Sequence, residues 1–127
     1  MVRVIEEHPF FHNADPRHLR ILAAFAMITK YAAGDRIFNQ GDTAHSFYAL
    51  QKGNVELVVE GSGESVDVIG AGDVLGWSWL FSPYRWQFTA IALEPVEAIF
   101  FYGPPLRERC AVNHSLGYDL MPRHQFH

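Results

Sequence analysis

Residues 31–57 run Tyr31-Ala32-Ala33-Gly34-Asp35-Arg36-Ile37-Phe38-Asn39-Gln40-Gly41-Asp42-Thr43-Ala44-His45-Ser46-Phe47-Tyr48-Ala49-Leu50-Gln51-Lys52-Gly53-Asn54-Val55-Glu56-Leu57. Short runs of strand-forming residues are cut here by Gly34-Asp35, Gly41-Asp42 and Lys52-Gly53-Asn54. Further on, the breaks continue at Gly61-Ser62-Gly63, Gly70-Ala71-Gly72-Asp73, Pro83 and Pro95. Turn signals this close together predict a sandwich or barrel of short antiparallel strands. The intervening segments 36–39, 46–51, 55–60, 65–69, 87–93 and 96–102 are rich in β-branched and aromatic residues and are the candidate strands.

The texture differs on either side. Residues 1–30 read as a helical segment. Asp15 can cap free backbone amides there, and Pro16 suits a first helical position because its missing N–H costs nothing. Leu19, Leu22, Ala23 and Ala26 then recur at helical spacing, with Phe25 beside them, which predicts one buried helix face. At the other end, Pro104-Pro105 closes the last strand. The stretch from Leu106 to Met121 reads as a helix or helix pair, weakened at Gly117 and stopped near Pro122. The fold expected is mainly β: one domain over residues 1–127, with a helical segment 1–30, an antiparallel β-roll of about eight strands over 31–102, and a C-terminal helical segment 104–127.

Composition narrows the function. The chain has 127 residues, 49% of them hydrophobic, with ten Phe, five Tyr and three Trp. That is enough apolar surface for one core without staples. The formal net charge is −4, and the ten Lys and Arg are spread along the chain, so direct binding to DNA or RNA is not expected. The single cysteine, Cys110, excludes an internal disulfide and a thiolate-built zinc site. No apolar run approaches a membrane span, and the N-terminal residues carry no apolar signal core, so the default expectation is a cytoplasmic protein.

Chemistry concentrates in residues 72–86. This stretch holds Trp77, Trp79 and Trp86, together with Phe81, Tyr84 and Arg85. Gly76 can take backbone angles closed to other residues. Residues 77–81 are long enough for one helical turn, whose free amides would favour an anion, and Arg85 follows just beyond. Amides plus a fixed guanidinium are what an anionic ligand needs.

The order of these motifs resembles the cyclic-nucleotide-binding domain of catabolite-activator-like regulators, kinase regulatory subunits and gated channels. Residues 31–50 look like the family's early strands. Lys52-Gly53-Asn54-Val55-Glu56-Leu57 resembles the next hairpin, and Gly72-Asp73-Val74-Leu75-Gly76 looks like the lead into the phosphate-binding cassette. The run from Gly76 to Trp86 resembles a bacterial single-domain branch that lacks the DNA-binding domain. The resemblance implies a ligand pocket beside residues 75–86, formed by Leu75, Gly76, Trp77, Ser78, Arg85 and Trp86, with cyclic AMP or cyclic GMP as the plausible occupant. It implies Arg85 as the partner of the cyclic phosphate, and terminal helices that shift on binding and are read by a regulatory protein partner or a second copy in a homodimer. The chain also departs from the pattern. Trp77 stands where the family has a glutamate that holds the ribose, and an indole only donates. Large residues, Trp86-Gln87-Phe88, follow Arg85 where small ones are usual. The C-terminus stops soon after Pro122, short of a full lid helix. A second reading is a ligand-independent interaction or dimerisation module whose pocket is filled by its own tryptophans.

Other candidates carry blander explanations. His8 and His12 have the spacing of a helical metal pair, yet nothing supplies a clear third ligand, so no metal or other cofactor is expected. Cys110 has His114 one turn later but no orienting third group, so no catalytic residue and no enzyme activity is expected. Asp35, Asp42 and Asp73 adjoin glycines and suit turns. Trp79 is expected in the core, and Ser82 as a cap.

Overall fold

The computed structural model describes residues 1–76, 79 and 84–120. The predicted 77–81 turn and the Ser82 cap lie largely outside these residues, as does the tail from Met121. Among the described residues the chain forms helix α1 (Val2–Glu7), a 3₁₀ turn (Pro9–Phe11), helix α2 (Pro16–Ala23), eight strands and two C-terminal helices. The strands are β1 (Ala26–Tyr31), β2 (Arg36–Phe38), β3 (Ser46–Lys52), β4 (Val55–Val58), β5 (Ser65–Ile69), β6 (Val74–Leu75), β7 (Thr89–Ala92) and β8 (Val96–Tyr102). Helices α3 (Gly103–Val112) and α4 (His114–Leu120) follow. The strands make two antiparallel four-stranded sheets, ordered β1-β8-β3-β6 and β2-β7-β4-β5, the expected β-roll.

Local chemistry explains most boundaries. The Asp15 carboxylate accepts from the Arg17 amide at 2.8 Å, and Pro16 opens α2, as its residue type demands. The Asp35 carboxylate accepts from the Ala32 amide at 2.8 Å and that of Asp73 from the Gly70 amide at 2.9 Å, the turn roles expected of them.

Three expectations need correction. The helical segment does not reach residue 30: α2 stops at Ala23, and Ala26–Tyr31 is strand β1, registered Ala26 to Phe101 through Tyr31 to Val96 on β8. Ile28 and Thr29 are β-branched, and the long ladder with β8 overrides the helical spacing of Ala26. Pro104 and Pro105 begin α3 rather than merely ending β8, because the first helical turn has no use for their amides. The C-terminal break falls at Asn113, which is extended (φ −126°), while Gly117 lies inside α4.

Strand β3 is buried at five successive residues, Ser46 to Leu50. The pleat sends Phe47 and Tyr48 to opposite faces. Phe47 stacks on Phe101 (ring centroids 4.5 Å apart), which meets Phe11 of the 3₁₀ turn at 5.5 Å. Tyr48 instead meets Phe38 of the other sheet at 6.2 Å. One sheet therefore has a core on each side: helices and the 3₁₀ turn pack on the first face, and the second sheet packs on the other. This is why β3 shows no polar alternation in the sequence.

Candidate functional site

The site begins where β6 ends. Val74 and Leu75 pair with Ala49 and Tyr48, and Leu75 is fully buried. Gly76 then turns the chain with φ +93°. A Cβ at Gly76 would lie 2.7 Å from Cζ3 and 2.8 Å from Cη2 of Trp86. The glycine is thus needed for its backbone angle and for the indole that rests against it.

Residues 84–86 return by zipping onto residues 41–44. The Ala44 amide donates to the Tyr84 carbonyl at 2.7 Å, the Trp86 amide to the Asp42 carbonyl at 3.0 Å, and the Gly41 amide to the Trp86 carbonyl at 2.9 Å. Thr43 and Arg85 face each other across this short antiparallel bridge. Neighbouring residues of an extended segment point to opposite faces. Ala44 and Trp86 are buried, and Thr43 and Arg85 are exposed.

That alternation decides the pocket. Trp86 is 5% exposed and stacks on Phe38 at 3.8 Å with the rings 9° from parallel. Phe38 in turn lies against Tyr48. Burial pushes the Tyr48 phenol up to about 12, and its oxygen accepts from Ser46 Oγ at 3.2 Å. Of the expected site residues, Leu75, Gly76 and Trp86 come together on the inner side. Arg85 does not join them: its Nη1 donates to the Gly41 carbonyl at 2.9 Å on the exposed side. With Trp86 turned inward, Arg85 has to face outward, whereas the cradle inferred from the sequence needs it inward. Trp77 and Ser78 lie outside the described residues.

Trp79 belongs to the other core. It is fully buried and stacks on Phe47 at 4.8 Å, with Gly103 leaving room for its ring: a Cβ there would stand 2.8 Å from Cε3. Phe38 stacks on Trp86, Tyr48 lies against Phe38, and Arg107 reaches Trp79 and Tyr84; none of the three was singled out from the sequence as a site residue. The first two were legible only as strand residues, and nothing in the pattern around Arg107 distinguishes it from a surface cation of α3.

The remaining candidates have structural partners. His8 is buried, with Nε2 on the Leu50 carbonyl at 2.9 Å and Nδ1 accepting from the Phe10 amide at 3.2 Å. Both ring nitrogens are used within the fold. Burial pushes the Cys110 thiol up, away from the thiolate form a nucleophile needs. Among the described residues no three His, Cys, Asp or Glu side chains gather to hold a metal, and no helix is long and apolar enough to cross a membrane. A cavity of about 330 Å³ lies between α1 and β3, lined by Val4, Glu7, His8, Gln51 and Gly72 among others. It is separate from the Gly76–Trp86 contact.

Comparison with known proteins agrees with this architecture. Residues 28–113 match the family model of the cyclic nucleotide-binding domain. A candidate cyclic nucleotide-binding protein of Geobacter metallireducens GS-15 superposes with a TM-score of 0.86 at 28% identity, over 94% of this chain and 88% of that one. The potassium voltage-gated channel protein eag of Drosophila melanogaster is 34% identical over 74 residues, 58% of this chain and 6% of the channel. A cAMP-dependent protein kinase regulatory subunit of Emericella nidulans is 32% identical over 72 residues, 57% of this chain and 18% of the subunit. The chain thus spans under a fifth of these two curated relatives.

Proposed function

The chain belongs to the cyclic nucleotide-binding domain family, and from that premise we propose that it is a non-catalytic regulatory module whose nucleotide hollow is plugged by its own Trp86, so that it works through protein contacts without a cyclic nucleotide. The observation that carries this reading is the Trp86 ring, 5% exposed, stacked on Phe38 and pressed against Gly76. An indole buries about 150–250 Å², which at about 25 cal/mol/Å² stabilises the closed state by ~4–6 kcal/mol. A ligand that had to displace it would bind roughly a thousandfold to ten-thousandfold more weakly, turning an intrinsic Kd of about 1 μM into one of millimolar or worse. Trp77 at the family's glutamate position removes a further acceptor. Exposed apolar side chains outside the core support protein contact: Val112 is 87% and Tyr118 75% exposed, both on the C-terminal helices.

A second reading, an anion sensor, draws on Arg85. Its guanidinium spends one N–H on Gly41, and among the described residues no carboxylate forms an ion pair with it.

Calorimetry together with tryptophan emission separates the two. Cyclic AMP and cyclic GMP are titrated to about 1 mM into the wild type and Arg85→Ala. The plugged reading expects no saturable heat and no emission change in either protein. Saturable micromolar binding to the wild type, lost in Arg85→Ala, would overturn it in favour of the sensor.

A further inference from the structure

Two contacts from Arg107 of α3 fall on the chain leading to the plug, at Trp79 and Tyr84, and a third falls on Ala44 of the facing 41–44 segment. Its Nε–H donates to the Trp79 carbonyl at 2.6 Å, and its Nη2 donates to the Ala44 carbonyl at 3.4 Å. The guanidinium carbon lies 3.9 Å from the centroid of the Tyr84 ring, over its face. Such a stack suits the planar, weakly hydrated guanidinium better than it would an ammonium.

Tyr84 is also the one non-glycine residue with positive φ, +58°, among the described residues. A bulky side chain keeps that backbone angle only where its surroundings impose it. The surroundings on view are the Arg107 stack on its ring and the Ala44 amide on its carbonyl. Arg107 holds the other side of the same residue, the Ala44 carbonyl. Two residues beyond Tyr84 the chain delivers Trp86 inward, and the intervening Arg85 is turned outward.

We infer that Arg107 is a positioning residue for the closed hollow: by stacking on Tyr84 and bonding to Trp79 and Ala44, it holds Tyr84 left-handed and so keeps Trp86 in and Arg85 out. The inference rests on the plugged reading and extends it, because the latch sits on a different element from the plug. A displacement of α3 by a protein partner would withdraw Arg107, let Tyr84 relax and loosen the 84–86 bridge. By linkage, whatever opens the hollow would loosen α3.

Residue-resolved amide exchange on the full chain tests this. The reporters are the amides of Gly41, Ala44 and Trp86, which make the bridge, with the amides of the β1–β8 ladder as reference. In Arg107→Ala the three reporters are expected to exchange about tenfold faster or more while the ladder keeps its wild-type rates. Arg107→Lys keeps the charge but loses the planar stack and fork, and is expected to behave in the same way. It carries the test should the alanine variant fail to fold. In a Tyr84→Gly background, where neither strain nor ring remains, adding Arg107→Ala is expected to change the reporters less. Unchanged reporter rates, or equal acceleration of reporters and ladder in both variants, would overturn the latch. Cyclic nucleotide binding by the wild type would instead sink the plugged reading, so the two failures are distinguishable.

Discussion

Gly76 and Gly61 make a controlled pair. Their φ values are +93° and +90°, but a Cβ on Gly61 would meet nothing within 4 Å, whereas one on Gly76 would strike the Trp86 ring at 2.7 Å. Gly61→Ala is therefore expected to cost about 1–2 kcal/mol, backbone strain alone. Gly76→Ala adds the displacement of a stacked indole and is expected to cost about 2–4 kcal/mol. Urea unfolding reads both as a lower midpoint at unchanged slope, with the larger drop for Gly76→Ala. Equal midpoints would mean that the indole yields freely, and a ring that yields freely is no plug. The role of Gly76 in ending β6 was legible from the glycine-rich stretch before it. The direction of its neighbour Trp86 was not, because it depends on a bridge to residues 41–44, more than forty positions earlier in the chain.

Between elements, the joint that carries the clearest pH signature is His8, which ends α1, caps the 3₁₀ turn and bonds to β3. Burial pushes its imidazole below the ordinary value, outweighing the Leu50 carbonyl and the negative charge of Asp73. The folded protein thus holds His8 neutral where the unfolded chain would already be protonated. The stability this represents is present in full above about pH 6.5 and declines as pH falls below that value. Thermal unfolding at about pH 7.5 and about pH 5.5 is expected to show a lower Tm at the acid end, and a smaller drop in His8→Gln, whose amide still offers a donor and an acceptor. Asp15 and Glu60 are held low by Arg17 and Arg36 respectively, so their contributions fade only at more acid pH. An identical drop in both proteins would show that His8 is not the sensitive group. At this level the sequence was most readable where punctuation was local. Segments 65–69 and 96–102 were bounded by glycine and proline and match β5 and β8 residue for residue. Strand β1 was missed because Ala26 continues the apolar spacing of α2 with no breaker between them, and only the distant ladder with β8 makes it a strand. The joint at His8 was invisible for the same reason: Leu50 lies 42 residues away.

The protein as one body is organised around a sheet with two cores, and this bears on how it unfolds. On the helix side a chain of ring contacts runs from Trp79, stacked on Phe47, through Phe101, stacked on Phe47 in turn, to Phe11, which meets Phe101 at a tilt, joining the loop after β6, strands β3 and β8, and the N-terminal 3₁₀ turn. On the other side Trp86, Phe38 and Tyr48 join the two sheets. Because β3 carries Phe47 on one face and Tyr48 on the other, neither core can dissolve while the strand stays in place. Phe47 sits between the Trp79 and Phe101 rings and is fully buried, so Phe47→Ala opens a cavity that both large rings would have to shift to fill. The expected cost is about 3–5 kcal/mol, a large part of the roughly 5–15 kcal/mol that holds a domain together. Phe47→Leu keeps most of the volume and is expected to cost about half as much or less. The informative measurement is coincidence. Tryptophan emission reports the indoles of the two cores, and far-ultraviolet circular dichroism reports the sheets. A single cooperative body moves both transitions together to lower urea in Phe47→Ala. Emission that melts well before the circular dichroism would mean that the loop and its tryptophans form a separate, weaker unit. In that case the plug at Trp86 would open at little cost, and the family's ligand pocket would again be within reach of a small anion.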